Sequence, residues 1–419
     1  MSVLRYLFIS ILGYFPLSPA LADDTASQLF DNLKQMVYQI RVIDNASGDK
    51  SSIGSGFQVS SDGRIATNFH VVASYVHNPE QYQLEYVFHD GTTGALTLEG
   101  FDVIHDLAIV RRDANEGHSF RFRNQLMTKG EQMYSMGNPL DLGMTIIEGN
   151  YNGLIETSRY QKVLFSGSLN AGMSGGPAID DKGQVIGINV SKGNEQLSFL
   201  VPVDNLVTLI QRLDEQNFGE DYEAEIQQAL LKDQDAFYQP LLKQDWPQDL
   251  FVKLLLPGEI SPSLKCWGNT TDNQKIRYDK VQQFCQSQDN IYLDSSLETG
   301  TFSYEYTWLA SDTLNRFQFY HLLETNFVHP SQYTAFREDD VSNYACDTDF
   351  IRIQQRSFRI SSCSRSYHKY PQLFDTVIML ASIDRNDQGV IMHISAAGIS
   401  TENATALLAK FLEAIQWKP

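Results

Sequence analysis

Asn170-Ala171-Gly172-Met173-Ser174-Gly175-Gly176-Pro177 is the stretch on which the reading of this chain turns. It sets one serine among three glycines, and glycine backbone reaches conformations closed to other residues. The amides of Gly172 and Ser174 can therefore be aimed at one point in front of the hydroxyl. Acyl transfer asks for that arrangement: a hydroxyl nucleophile, and donors for the oxyanion that forms when a carbonyl becomes tetrahedral. It also needs a base, and an acceptor that fixes the tautomer of the base. Two upstream segments offer them: Thr67-Asn68-Phe69-His70-Val71-Val72, directly after a strand, and Asp106-Leu107-Ala108-Ile109-Val110, an acid entering an apolar strand. Ser174, His70 and Asp106 are thus the candidate nucleophile, base and orienting acid. Taken singly, each has an ordinary structural explanation: a glycine-rich turn, a histidine at a helix start, a strand-end cap. The combination is what carries chemistry. Asp102 is the alternative acid, but the apolar run Leu107 to Val110 favours Asp106 as the buried one. His105 adjoins it and is expected on the opposite face of a strand, away from the site.

Outward from these segments the chain reads as short strands separated by Gly, Asp and Asn. Examples are Arg64 to Thr67, Tyr82 to His89, Gly94 to Phe101, Leu107 to Arg111, Gln132 to Met136, Thr145 to Ile155, Val163 to Ser166, Gly183 to Val190 and Leu197 to Val201. This pattern predicts a β-barrel or sandwich rather than a parallel α/β fold. Helical spacing precedes it from Ser27 to Ile40 and follows it from Asp204 to Gln216. Glu220-Asp221-Tyr222-Glu223 then opens an acidic helical stretch, expected as a linker over 216–240. Residues 241–419 mix helices with strands such as Gly300 to Trp308 and Asp375 to Ile383. They close with a predicted helix from Thr401 to Trp417, so a smaller α+β domain is expected there. Its aromatics Phe302, Tyr304, Tyr306, Trp308, Phe317, Phe319 and Tyr320 are expected in a core.

Over residues 28 to about 210 the sequence resembles the trypsin/chymotrypsin superfamily, specifically its Deg/HtrA-like bacterial branch. The matching pieces are Gly54-Ser55-Gly56-Phe57, Thr67 to Val72, Asp106 to Val110, Met136-Gly137-Asn138-Pro139, Gly172 to Pro177 and Val185-Ile186-Gly187-Ile188-Asn189. The resemblance implies a protease domain over 23–215, built of two antiparallel six-stranded β-barrels with the triad between them. It implies serine endopeptidase activity on protein or peptide substrates, and no metal or organic cofactor. It also implies a primary pocket with Ile188, Asn189 and Val190 on one wall and Leu169 and Asn170 near its base. No acid stands there to hold Lys or Arg, so an uncharged small or medium aliphatic residue is expected before the scissile bond. Met173 departs from the branch, which usually has Asn at this position, and no PDZ domain is recognisable after the protease. The alternative expectation is an inactive or gated pseudoprotease that binds proteins.

The ends, charge and cysteines set the context. Tyr6 to Phe15 is apolar, Pro16 breaks it and Ala20-Leu21-Ala22 offers a cleavage site, so 1–22 reads as a signal peptide. The run is shorter than the roughly 20 residues a spanning helix needs, and no stable membrane anchor is expected after cleavage. The formal charge of −19 opposes contact with phosphate backbones, so nucleic acid is not an expected partner. Four cysteines in an exported chain predict two disulfides, Cys266–Cys285 and Cys346–Cys363. For the second pair, Phe350 to Ile353 and Ser357 to Ile360 read as a hairpin turning near Gln354-Gln355, with both cysteines equally far from the turn. The expected location is periplasmic or extracellular, in a bacterium.

Overall fold

The computed structural model describes residues 25–113, 117–194, 197–216, 218–271, 277–328 and 337–417. The expected signal peptide, 1–22, lies outside the described residues. Helix α1 (Thr25–Leu33) and a 3₁₀ turn lead into β1 (Val37–Asp44). The expected helix thus ends earlier than its spacing implied. From Val37 onward the chain is rich in β-branched and aromatic residues, which pack well on a pleated surface, and two neighbouring strands claim their backbone.

The first barrel adds β2 (Lys50–Gln58), β3 (Arg64–Thr67), helix α2 (Phe69–His77), β4 (Tyr82–Val87), β5 (Thr93–Asp102) and β6 (Leu107–Arg112). The second comprises β7 (Gln132–Gly137), β8 (Thr145–Leu154), β9 (Val163–Phe165), β10 (Pro177–Ile179), β11 (Val185–Asn194) and β12 (Leu197–Pro202). Both sheets are antiparallel and close, in the orders β1-β2-β3-β6-β5-β4 and β10-β11-β12-β9-β8-β7. Closure leaves no open sheet edge in either unit. Phe57 and Ile109 of the first barrel share one buried cluster with Tyr134, Met136 and Ile188 of the second. That seam fixes the barrels against each other, and helix α3 (Val203–Glu215) packs Leu206 and Leu209 into it.

The expected linker is a packed strut. Helix α4 (Tyr222–Lys243) buries Ile226 and Leu230 in the first-barrel core, and Tyr238 and Leu241 in the core of the following domain. That domain continues with β13 (Gln248–Phe251), β14 (Leu254–Pro257), β15 (Leu264–Thr271), β16 (Asp279–Ser287), β17 (Ile291–Asp294), β18 (Leu297–Thr299), β19 (Phe302–Ala310) and α5 (Arg316–Asn326). It ends with β20 (Ala345–Ile353), β21 (Arg356–Ser366), β22 (Phe374–Ser382), β23 (Gln388–Ile399), α6 (Thr401–Ala414) and β24 (Gln416–Trp417). The C-terminal helix therefore stops at Ala414, because Gln416 and Trp417 pair with β14. A seven-stranded sheet runs β15-β16-β19-β23-β22-β21-β20. Both disulfides bridge directly opposed residues of its outermost strand pairs, Cys266–Cys285 on β15 and β16, and Cys346–Cys363 on β20 and β21. All four thiols are thereby consumed. Phe302, Tyr304, Tyr306, Trp308 and Phe319 are core, whereas Phe317 and Tyr320 are exposed on α5.

The β17–β18 hairpin leaves this sheet and docks on α2. Ile291, Leu293 and Leu297 are buried in one cluster with Val71, Val72 and Val76 of that helix. The hairpin is also tied back to its own domain: Thr299 Oγ1 hydrogen-bonds the Tyr367 hydroxyl, which donates to Asp375, the buried partner of Arg365. We predict that Leu293→Ala, which empties a fully buried site between the two units, lowers stability by about 2–5 kcal/mol. Urea unfolding followed by circular dichroism measures this directly.

Candidate active site

Helix α2 starts where β3 ends. Phe69, Val71, Val72, Ala73 and Val76 occupy its buried face, which leaves His70 turned towards the cleft between the barrels. Asp106 meets it from the turn before β6, in the left-handed region at φ 55°. Aspartate tolerates that conformation better than bulkier residues do. One carboxylate oxygen of Asp106 accepts the His70 backbone N–H at 2.8 Å, and the other faces Nδ1 at 2.7 Å. Asn68 Nδ2 holds the Asp106 carbonyl at 2.8 Å. The acid therefore also satisfies an orphan donor at the positive end of α2. With Nδ1 donating to the carboxylate, Nε2 is left with a lone pair, the form required of a base. Burial works against an imidazolium at His70, but the charge and hydrogen bond of Asp106 outweigh it and raise its pKa above the ordinary value.

The serine comes from the other barrel. Its loop turns through Met173 N–H to Asn170 carbonyl (3.0 Å) and Gly176 N–H to Met173 carbonyl (3.1 Å). Gly172 and Gly175 sit at φ 92° and 84°, where a side chain is strained. A Cβ on Gly175 would also lie 2.2 Å from the Ser55 carbonyl and 3.0 Å from the Asn68 nitrogen. One on Gly54 would lie 2.5 Å from Val71 and 3.1 Å from the Ser174 carbonyl. These glycines let the serine loop close onto the segment that carries His70. Among the described residues, no acceptor takes the Gly172 or Ser174 amides. The Ser174 hydroxyl donates to the Val190 carbonyl at 2.8 Å, and no hydrogen bond joins it to His70 among the described residues.

Ser55 is a positioning residue not anticipated from its motif, Gly54-Ser55-Gly56-Phe57. Its amide donates to the Ser174 carbonyl at 2.7 Å, its hydroxyl donates to the Gly172 carbonyl at 2.7 Å, and the same oxygen accepts Asn138 N–H at 2.9 Å. The signal is a polar residue between two glycines, Gly54-Ser55-Gly56. Met173 anchors the loop differently from the Asn of the resembling branch: its side chain is fully buried in the second-barrel core with Phe165 and Leu200. Burial of that size contributes about 1.5–3 kcal/mol. On the loop's outer side, Leu140 N–H bonds the Ala171 carbonyl at 2.8 Å. Neighbouring Asp141 is held by Lys50, Gln39 and Arg41, which lower its pKa to about 2.

The residues expected around the primary pocket take different places in the fold. Ile188, Asn189 and Leu169 are buried. Ile188 belongs to the seam between the barrels. Asn189 is a structural bracket, accepting from Ser135 and donating to the Met136 and Met173 carbonyls. Asn170 is exposed at the turn of the serine loop. Of the five, Val190 lines a cavity of about 280 Å³ beside His70. His105 lines the same cavity, contrary to expectation, because residues 103–106 form a turn rather than a strand. It is paired with Asp102 at 2.8 Å and stands edge-on to Tyr160.

Two closed antiparallel barrels, with a His–Asp pair on one and a glycine-framed serine on the other, define the trypsin-like serine peptidase architecture. Residues 54–188 match the family described as the trypsin-like peptidase domain. It is 30% identical over 171 residues to "Serine protease HTRA2, mitochondrial" of Drosophila erecta, covering 39% of this chain and 40% of that protein. The protein of the same name in Drosophila virilis is 29% identical over 171 residues, with the same coverage of 39% and 40%. The crystal structure of the serine endoprotease from Yersinia pestis shares 26% identity, covering 45% of this chain and 66% of that one at a TM-score of 0.39. The chain spans about two fifths of the length of the curated relatives it matches.

Because Ser55→Ala removes the hydroxyl that ties the Gly172 carbonyl to Asn138 N–H while keeping the backbone bond to Ser174, it is expected to slow labelling of Ser174 by a fluorophosphonate about tenfold to a hundredfold. Its circular dichroism spectrum should stay that of the unchanged protein.

Proposed function

We propose that this chain is an exported serine endopeptidase, hydrolysing peptide bonds through an acyl-enzyme on Ser174. His70 takes the hydroxyl proton and returns it to the leaving amine. Asp106 fixes the imidazole and stabilises its charge, and the Gly172 and Ser174 amides receive the oxyanion. The observation that carries this reading is the His70 Nδ1 to Asp106 contact of 2.7 Å, which turns Nε2 towards the cleft faced by the serine loop. The Ser174 hydroxyl must rotate from the Val190 carbonyl to reach that nitrogen. An extended peptide lying along Val190 supplies a backbone N–H for the same carbonyl and so releases the hydroxyl. Two disulfides support work in an oxidising compartment, periplasmic or extracellular.

The Ser174–Val190 hydrogen bond also favours a second reading, a gated or inactive protein that binds peptides without cutting them. A fluorophosphonate probe separates the two. Labelling at Ser174 that disappears in Ser174→Ala supports the enzyme, and folded protein that never labels supports the binder.

Two further outcomes are expected of the enzyme. His70 must be neutral to act as base and its pKa is raised, so kcat/KM climbs with pH through a midpoint above about 6.5. Asp106→Asn removes the charge that raises the pKa while leaving the burial that lowers it. It should move the midpoint down and reduce kcat by about 10⁴, both measurable in one pH–rate profile on a peptide substrate.

A further inference from the structure

The cavity beside His70 has walls from both halves of the chain. Val103 and Ile104 come from the turn before Asp106, and Val190 and Val201 from the second barrel. The facing wall is Ile291 and Tyr292 of β17, with Glu298 of β18 at its side. The Tyr292 ring stands edge-to-face with the His70 imidazole, centroids 5.8 Å apart. We propose that this cavity is a substrate subsite for a large uncharged side chain, and that Tyr292 is its specificity-determining wall. The C-terminal domain thereby selects which peptides are cut. The inference rests on the peptidase reading above.

Three observations define the occupant. Five aliphatic side chains and the Tyr160 and Tyr292 rings make half of the lining, which suits an apolar side chain. Its volume of about 280 Å³ holds one large side chain with room to spare. Every charged group on it is already engaged. Lys162 is 3.0 Å from Asp289, Glu298 accepts from Asn290, and the two histidines are bonded to Asp106 and Asp102. An anionic substrate side chain would enter without a partner and lose its hydration, and a cationic one would meet only the Glu298 carboxylate at the cavity's side.

The hairpin is a built wall rather than a removable plug. Ile291, Leu293 and Leu297 share the core of α2, and His77 Nε2 lies 2.9 Å from the Leu293 carbonyl. Buried Asp289, just before β17, accepts from the Arg159 amide at 2.7 Å and the Ser158 hydroxyl at 3.2 Å. Moving Tyr292 out of the cleft would open that core and break those bonds.

The test uses the full chain, with competent sites counted by fluorophosphonate titration of Ser174. A peptide library is varied one position at a time around the scissile bond. The unchanged protein is expected to prefer large apolar residues at one position over Asp, Lys and Gly by at least about tenfold in kcat/KM. Tyr292→Ala should shrink that preference to about threefold or less, and Tyr292→Phe should keep it. Ile104→Trp fills the cavity from the protease side and should shift the preference to Gly and Ala, which covers the case in which Tyr292→Ala does not fold. Faster cleavage of all peptides alike in Tyr292→Ala would make the tyrosine a plug and overturn the proposal. So would a preference that none of the variants alters. Absence of labelling in the unchanged protein removes the peptidase reading itself, and this inference with it.

Discussion

Helix α2 is held from both sides, and the geometry around His70 depends on this. Beneath it lies the first-barrel core; above it lie Leu293 and Leu297 of the hairpin. A nine-residue helix is too short to be stable alone in water, so its position is set by what packs on it. Its first turn is fixed further by Asp106, which accepts the His70 amide and faces its ring at once. A carboxylate at a helix N-terminus is favourable in its own right. The contact that orients the base therefore also secures the start of the helix that carries it.

The serine loop shows the converse economy: its conformation is imposed almost wholly by neighbours. Ser55 ties down Gly172 and Ser174, Asn189 brackets Met173, and on β11 the Asn189 backbone accepts from Gly175 N–H and donates to the Gly176 carbonyl. The buried thioether of Met173 takes a place where the resembling branch uses a polar side chain. Burial fixes depth but not direction, so the polar clamps around it supply orientation. Amides held this way need little reorganisation when charge develops in front of them, which is the source of oxyanion stabilisation.

The barrels and the residues on them were legible because each carries a local signature. Alternating short strands, glycines flanking Ser174, and an acid before the apolar run Leu107 to Val110 all act over a few residues. The opposed cysteines of β20 and β21 were legible for the same reason, since a two-residue turn at Gln354-Gln355 fixes the register. The rest depended on the third dimension. That Ile188 packs in the seam between the barrels and that Asn189 brackets Met136 and Met173 is not marked in their motif. His105 was set aside by a strand rule that a turn does not obey. Tyr292 could not be anticipated: nothing near it in sequence marks it as a neighbour of a histidine more than two hundred positions away.

Val190 joins the two parts of the proposed mechanism. Its carbonyl holds the Ser174 hydroxyl, while its side chain lines the cavity closed by Tyr292. A peptide that places a side chain in that cavity brings its own backbone along the same strand end, where an amide can replace the hydroxyl on the carbonyl. Filling the subsite and releasing the nucleophile are then coupled through one residue. Binding energy gained away from the scissile bond is thereby used to assemble the reacting groups, which is how a specificity contact raises kcat as well as lowering KM. A domain that only covered the cleft would have no such effect, because it would oppose good and poor substrates alike.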